Sequence, residues 1–344
     1  MAPAYSDDEY DESSSVGDER EDAINEIVAD VVDEFLREFS RHLGISQPES
    51  SPHTPLSEVH VPAIKVPETE EDYRRYVWRF IENNLKSYYQ PGDPYVEELV
   101  KIAATRAKDL TQKYELEPEV TPRLAIMALY DFVILCDDSS SMRKDRRIRI
   151  QALEDTCERV AEFGSSIQPH GVYLRFLNNS QDQHYNELTD KEVKVKMKDI
   201  KYSGSTRLGT VLGSKIVNPL IIDKVQSGQL EKPVITVIIT DGDPQGEAPT
   251  CLEKTVLDCK RRLSELSKEP EGAVFLISRV GNDPNAVAFL SSLRMNKDLQ
   301  ETLYCCPDQL DDRREVFRKA GNSRLYSSYL IKLFEAALES QTDI

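Results

Sequence analysis

Five short apolar runs set the terms for how this chain folds: Phe132 to Cys136, Val172 to Leu177, Val234 to Ile239, Ala273 to Ile277 and Leu303 to Cys306. Each is continuous rather than alternating, the pattern of a strand covered on both faces. Mostly helix-like stretches separate them, such as Ile148 to Phe163, Thr210 to Val225 and Cys251 to Leu266. Strand–helix alternation requires parallel crossovers. The spacing therefore predicts a doubly wound α/β domain with a mostly parallel sheet over residues 130–344, closed by a last helix over Leu325 to Leu338.

Upstream of residue 130 the rhythm is helical. Thr69, with Asp72 three residues on, reads as a capping signal for a helix carrying Tyr73, Tyr76, Val77, Trp78, Phe80, Ile81 and Leu85. Asp93-Pro94 opens a second, with Val96, Leu99, Val100, Ala103 and Ala107 on one face, and Thr121-Pro122 opens a shorter third in the same way. Residues 69–129 thus form a helical lead-in. Residues 45–68 hold five prolines, a spacing that excludes a helix and favours an extended linker. Residues 23–44 repeat Ile24, Ile27, Val28, Val31, Phe35 and Phe39 at helical spacing with acids opposite, an amphipathic helix ended by Gly44. Residues 1–22 are acidic, Ser-rich and nearly free of aliphatics, and are expected to be disordered.

Charge sharpens the division. Residues 1–70 carry 18 Asp and Glu against 4 Lys and Arg, so most of the chain's net charge of −18 sits ahead of a nearly neutral body. That argues against a nucleic-acid binder, which needs clustered Lys and Arg. No apolar stretch approaches the roughly 20 residues that cross a bilayer, and the start lacks a basic-then-apolar secretory pattern. An intracellular protein, of the cytoplasm or nucleus, is expected. The six cysteines lack C-x-x-C spacing and lie mostly in apolar segments, so they read as reduced core thiols.

In open α/β sheets ligands gather beyond the carboxyl ends of the strands. After the first run the chain reads Asp137-Asp138-Ser139-Ser140-Ser141-Met142; after a later one it reads Thr240-Asp241-Gly242-Asp243; between them lies Gly204-Ser205-Thr206, just before a helix. Each loop offers oxygen donors and neither nitrogen nor sulfur. Such donors suit Mg²⁺, a small hard ion that takes six oxygens in an octahedron.

The order D-x-S-x-S, then a Thr in a Gly-Ser-Thr loop, then T-D-G resembles the metal-ion-dependent adhesion site of the von Willebrand factor type A (vWA) family, a Rossmann-like fold. The family pattern falls on Asp137, Ser139, Ser141, Thr206 and Asp241. Counting from Asp138 instead puts Met142 where a hydroxyl is needed. Ser140 stands where the family's first loop usually has Gly, as in the D-D-S-G-S-M wording of fungal members; the position holds no ligand and bears on loop conformation. The resemblance implies a bound Mg²⁺ or Mn²⁺ whose open position is completed by a Glu or Asp from a protein partner. It also implies that direct coordination trades between Thr206 and Asp241, coupled to movement of the last helix.

Other candidates read as bland. His170 and His184 are isolated, His53 and His60 lie in the linker, and Asp138 and Asp243 read as solvated loop acids or as part of the metal's outer shell. The cluster Arg143-Lys144-Asp145-Arg146-Arg147-Ile148-Arg149 reads as a solvated face beside the metal loop, with steering of an acidic partner as the functional option. Gly281-Asn282-Asp283-Pro284 reads as a turn. The expected function is a non-enzymatic, metal-dependent protein-binding module. The rivals are a metal-dependent phosphoester hydrolase and a docking protein acting through its N-terminal helix.

Overall fold

A computed structural model describes residues 66–167, 171–242 and 244–343. The acidic tail, the amphipathic helix, nearly all of the Pro-rich linker, His170 and Asp243 lie outside the described residues. Five strands, β1 (Asp131–Cys136), β2 (Val172–Phe176), β3 (Val234–Thr240), β4 (Ala273–Arg279) and β5 (Tyr304–Gln309), form one sheet in the order β2-β1-β3-β4-β5. Every pairing is parallel.

The helices follow in chain order. Three precede the sheet: α1 (Glu70–Asn84), α2 (Pro94–Tyr114) and α3 (Thr121–Met127). Then α4 (Ile148–Ile167) joins β1 to β2, and α5 (Asp190–Met197) and α6 (Leu208–Leu212) follow β2. The chain runs on through Gly213–Ile222 as a π-helix into α7 (Asp223–Gln226). The helix α8 (Cys251–Glu265) follows β3, α9 (Pro284–Met295) follows β4, and α10 (Leu310–Lys319) and α11 (Arg324–Glu339) end the fold.

Continuous apolarity is explained by what each face meets. Phe132 of β1, Phe163 of α4 and Phe334 of α11 pack edge to face, with ring centroids 5.2–5.7 Å apart. Their neighbours Val133 and Leu135 join the opposite core with Ile238, Phe275, Val211, Ile216, Val256 and Leu263. Every residue of β3 is buried. Since both faces are covered, truncating Phe132 to Ala would cost about 3–5 kcal/mol through lost transfer energy and the cavity left behind.

The predicted helix over Thr210 to Val225 differs from the structure. It begins at Leu208 and widens to π geometry over Gly213–Ile222, with Pro219 inside. Proline has no N–H to give the carbonyl four residues back, and its ring crowds that carbonyl; a wider turn relieves both problems.

The lead-in is capped much as its sequence predicts. Thr69 and Asp72 form a reciprocal capping box, and Asp93 accepts from the N–H groups of Tyr95 and Val96. At α3 the detail departs: Thr121 is the first helical residue, Val120 precedes it without a side-chain cap, and the Thr121 hydroxyl bonds that of Thr111 at 2.7 Å. The lead-in is fastened to the sheet domain. Asn84 exchanges hydrogen bonds with the Asp343 backbone at 2.8 and 2.9 Å, the Ser87 N–H donates to the Glu269 carboxylate at 3.1 Å, and Arg123 pairs with Glu335 and Glu339 of α11. These elements belong to one compact unit, Lys65–Ile344.

All six cysteines are free, and all but Cys251 are buried. Burial pushes the Cys259 and Cys305 thiols up to about 12, which keeps them as inert thiols. Among the described residues no helix is long and apolar enough to cross a membrane.

Candidate metal centre

Strand order places the site. From β2 the chain crosses back over β1 to reach β3 on the far side. Connections leaving β1 and β3 therefore diverge, opening a crevice at their carboxyl ends. Cys136 is in register with Phe176 on one side and Ile239 on the other, so Asp137 and Thr240 leave the sheet at the same level.

Asp137 is fully buried there. One carboxylate oxygen accepts from the Ser139 N–H at 2.8 Å, the other from the Thr240 hydroxyl at 2.7 Å. The Ser139 and Ser141 hydroxyls are 2.9 Å apart, and Ser141 donates to Asp241 Oδ1 at 2.7 Å. Loops a hundred residues apart thus meet in one chain of oxygens. Thr206, also buried, enters beside the T-D-G loop: its hydroxyl would lie 3.9 Å from a Cβ built on Gly242, and its carbonyl accepts from the Gln245 N–H at 2.7 Å.

Electrostatics make the cluster unsettled. Burial first, and the neighbouring Asp241 charge second, push the Asp137 carboxyl up to about 6. The cation in contact with this pair is Arg149, at the start of α4, whose Nη1 lies 2.6 Å from Asp241 Oδ2. Arg149 is itself only 4% exposed, so the reading of that basic stretch as a solvated face fails at this residue. The sequence hid it because Asp241, its buried partner, is 92 residues away.

Of the two readings of Asp138, the solvated one fails. The side chain is buried, and it clamps the loop after β2. Its Oδ1 accepts from the Asn178 N–H at 2.7 Å and the Asn178 amide at 3.1 Å, while Oδ2 accepts from the Asn179 N–H at 2.9 Å. Burial pushes the Asp138 carboxyl up, and those N–H groups pull it back. Asn178 in turn bonds the backbone of Ser205 in both directions, at 3.1 and 3.2 Å. That contact leaves no room above Gly204: a Cβ there would fall 2.2 Å from Asn178 Oδ1, and φ is +101°.

Ser140 occupies its position productively. Its hydroxyl accepts from the Gly204 N–H at 3.1 Å, and its own N–H donates to the Gly204 carbonyl at 3.3 Å. The first loop is thereby stitched to the loop that carries Thr206. His184, by contrast, is exposed on the 3₁₀ turn Asp182–Tyr185.

The donor chemistry fits a hard cation: two carboxylates and three hydroxyls, with more buried negative charge than Arg149 can balance. Among the described residues no group of three or more His, Cys, Asp and Glu is arranged to hold a metal. A site of this kind would therefore depend on its hydroxyls.

No protein-family model matches the chain, and no curated protein matches it. Among solved structures, proximal thread matrix protein 1 of the mussel byssus is similar at 18% identity over 59% of this chain, with a TM-score of 0.33. The match spans 46% of the mussel chain, less than half its length.

Proposed function

We propose that this chain is a vWA-type binding module whose Asp137, Ser139, Ser141, Thr206 and Asp241 hold Mg²⁺ or Mn²⁺ and present it to an acidic residue of a protein partner. The observation that carries the reading is the run of hydrogen-bonded oxygens from Ser139 through Ser141 to Asp241, with the buried Asp137 alongside. Asp137 and Asp241 would supply anionic charge, and Ser139, Ser141 and Thr206 neutral oxygens. When bound, the ion supplies a hard Lewis-acidic centre at which an outside carboxylate completes the coordination. The protein's part is positional: Thr240 and the Ser139 N–H aim Asp137, while the Asp138 and Ser140 contacts hold the Thr206 loop against the first loop. The near-neutral body and the six free cysteines fit an intracellular, non-enzymatic role without nucleic acid.

Isothermal titration of the full chain with Mn²⁺ or Mg²⁺ tests the site. Wild type should bind at millimolar concentration or tighter, and Ser139→Ala plus Ser141→Ala should abolish it. Wild type that binds neither ion would overturn the reading. Affinity capture with and without chelator then tests the bridge: partners should be lost on chelation and in the double variant alike.

A further inference from the structure

We infer that Arg149 is a built-in counter-cation that closes the metal-free site and competes with the divalent ion for Asp241; this rests on the metal reading above. Both oxygens of Asp241 are taken, Oδ1 by the Ser141 hydroxyl at 2.7 Å and Oδ2 by Arg149 at 2.6 Å. Ser141 is itself one of the proposed ligands, so an ion drawing on Asp241 displaces the guanidinium before the hydroxyl. Charge points the same way. Asp137 and Asp241 together bring two negative charges into a buried crevice, and Arg149 offsets one of them. A divalent ion arriving beside Asp241 meets a fixed positive charge in a low-dielectric setting, where the two repel.

The guanidinium also has somewhere to remain. Its Nε and Nη2 lie 2.8 and 2.7 Å from Asp145 Oδ2, on a side chain about half exposed to water. It lies flat against Gly281, where a Cβ would stand 2.4 Å from Nε, and Gly281 is pinned at φ +74° with its N–H on Asp311 Oδ1 at 2.9 Å. Only glycine leaves that space, so the turn after β4 forms one wall of the guanidinium's seat. Releasing Asp241 therefore costs Arg149 one partner of two rather than stranding a buried charge.

The test measures ion affinity and metal-free stability together on the full chain, for wild type, Arg149→Gln and Arg149→Lys. Competition predicts opposite signs. Arg149→Gln should melt lower than wild type in chelator, yet bind Mn²⁺ about tenfold more tightly, because one fewer positive charge opposes the ion. Arg149→Lys, which keeps the charge without the planar fork, should tighten binding by less. A merely structural arginine would lower both quantities, so unchanged or weaker Mn²⁺ binding in Arg149→Gln overturns the inference while wild-type binding still upholds the metal reading. Should Arg149→Gln fail to fold, the Lys variant decides: tighter binding supports competition, equal or weaker binding overturns it. Silence from wild type would sink the metal reading and this inference with it.

Discussion

Two places in this molecule set a pair of carboxylates near one guanidinium. At the sheet's carboxyl edge, Asp137 and Asp241 share a crevice with Arg149. Between the lead-in and the last helix, Arg123 of α3 pairs with Glu335, at 2.9 Å, and Glu339 of α11. The second cluster is half-buried, and Arg123 touches both acids. Its excess negative charge is relieved by a proton: burial, against the opposing pull of Arg123, pushes the Glu335 carboxyl up to about 7. The first cluster is dry, its guanidinium touches only one of the two acids, and serine and threonine hydroxyls line it. Two acids and an arginine therefore do not make an ion site by themselves. What separates the clusters is an unshared buried carboxylate next to oriented hydroxyls at a topological switch point.

The largest effect should come from Asp241→Ala, which leaves the buried Arg149 with Asp145 alone and the Ser141 hydroxyl without its acceptor. Losing these buried, charged hydrogen bonds costs about 3 kcal/mol, so thermal unfolding in chelator should fall by roughly 5–10 °C, and ion binding should vanish in the same sample. Glu339→Ala in the other cluster should cost within about 1 kcal/mol and leave ion binding unchanged, because Arg123 keeps Glu335 and reaches water. Equal losses at the two positions would erase the contrast.

Next in size is a pH effect at Glu335. Its folded value near 7 lies above the ordinary carboxylate value of 4.5, so the folded state binds the extra proton between them. Stability gained from that proton is present below about 4.5 and lost as pH rises through 7, up to about 3 kcal/mol. Glu335→Gln should flatten denaturant-monitored stability across that window; an unchanged slope would show that Glu335 ionises normally.

How far the sequence could reach differs by residue. The first four strands were legible because both their faces are covered, which leaves an unbroken apolar run; of β5 only the start, Tyr304 to Cys306, shows it, and Pro307, Asp308 and Gln309 are half-buried and polar or proline. That the Asp137 to Ser141 loop meets Asp241 was legible because both stand just past the ends of strands, at loops whose order survives in one dimension. Arg149 was not: beside Arg143, Lys144 and Arg147 it looks like solvent-facing charge, and only the meeting of β1 and β3 brings Asp241 to it. The burial of Asp138 was hidden for the same reason, since its partners, the N–H groups of Asn178 and Asn179, come from another strand's end. The π turn around Pro219 escaped because apolar periodicity does not distinguish it from an ordinary helix.

Within the crevice itself, two neighbours in sequence hold the Thr206 loop in different ways, and smaller effects separate them. Asp138→Asn keeps the shape but gives up the charge that accepts three N–H groups, and it turns an amide toward Asn178. The cost should be about 1–2 kcal/mol by denaturant unfolding, with Mn²⁺ affinity down at least tenfold as the loop loses its anchor. Ser140→Gly should be the gentlest change. It removes the hydroxyl's two bonds to the Gly204 N–H and carbonyl, yet both residues are exposed, so water replaces the lost partners, and the backbone bond from Ser140 N–H to the Gly204 carbonyl survives. The remaining cost is the added freedom of a glycine in the unfolded chain, about 0.5–1 kcal/mol. Mn²⁺ affinity should stay within about twofold of wild type, because the buried Asp138 carboxylate still fixes Asn178 and, through it, Ser205. A tenfold loss in Ser140→Gly with none in Asp138→Asn would reverse the assignment: the exposed hydroxyl, rather than the buried acid, would then be what sets Thr206 against the ion.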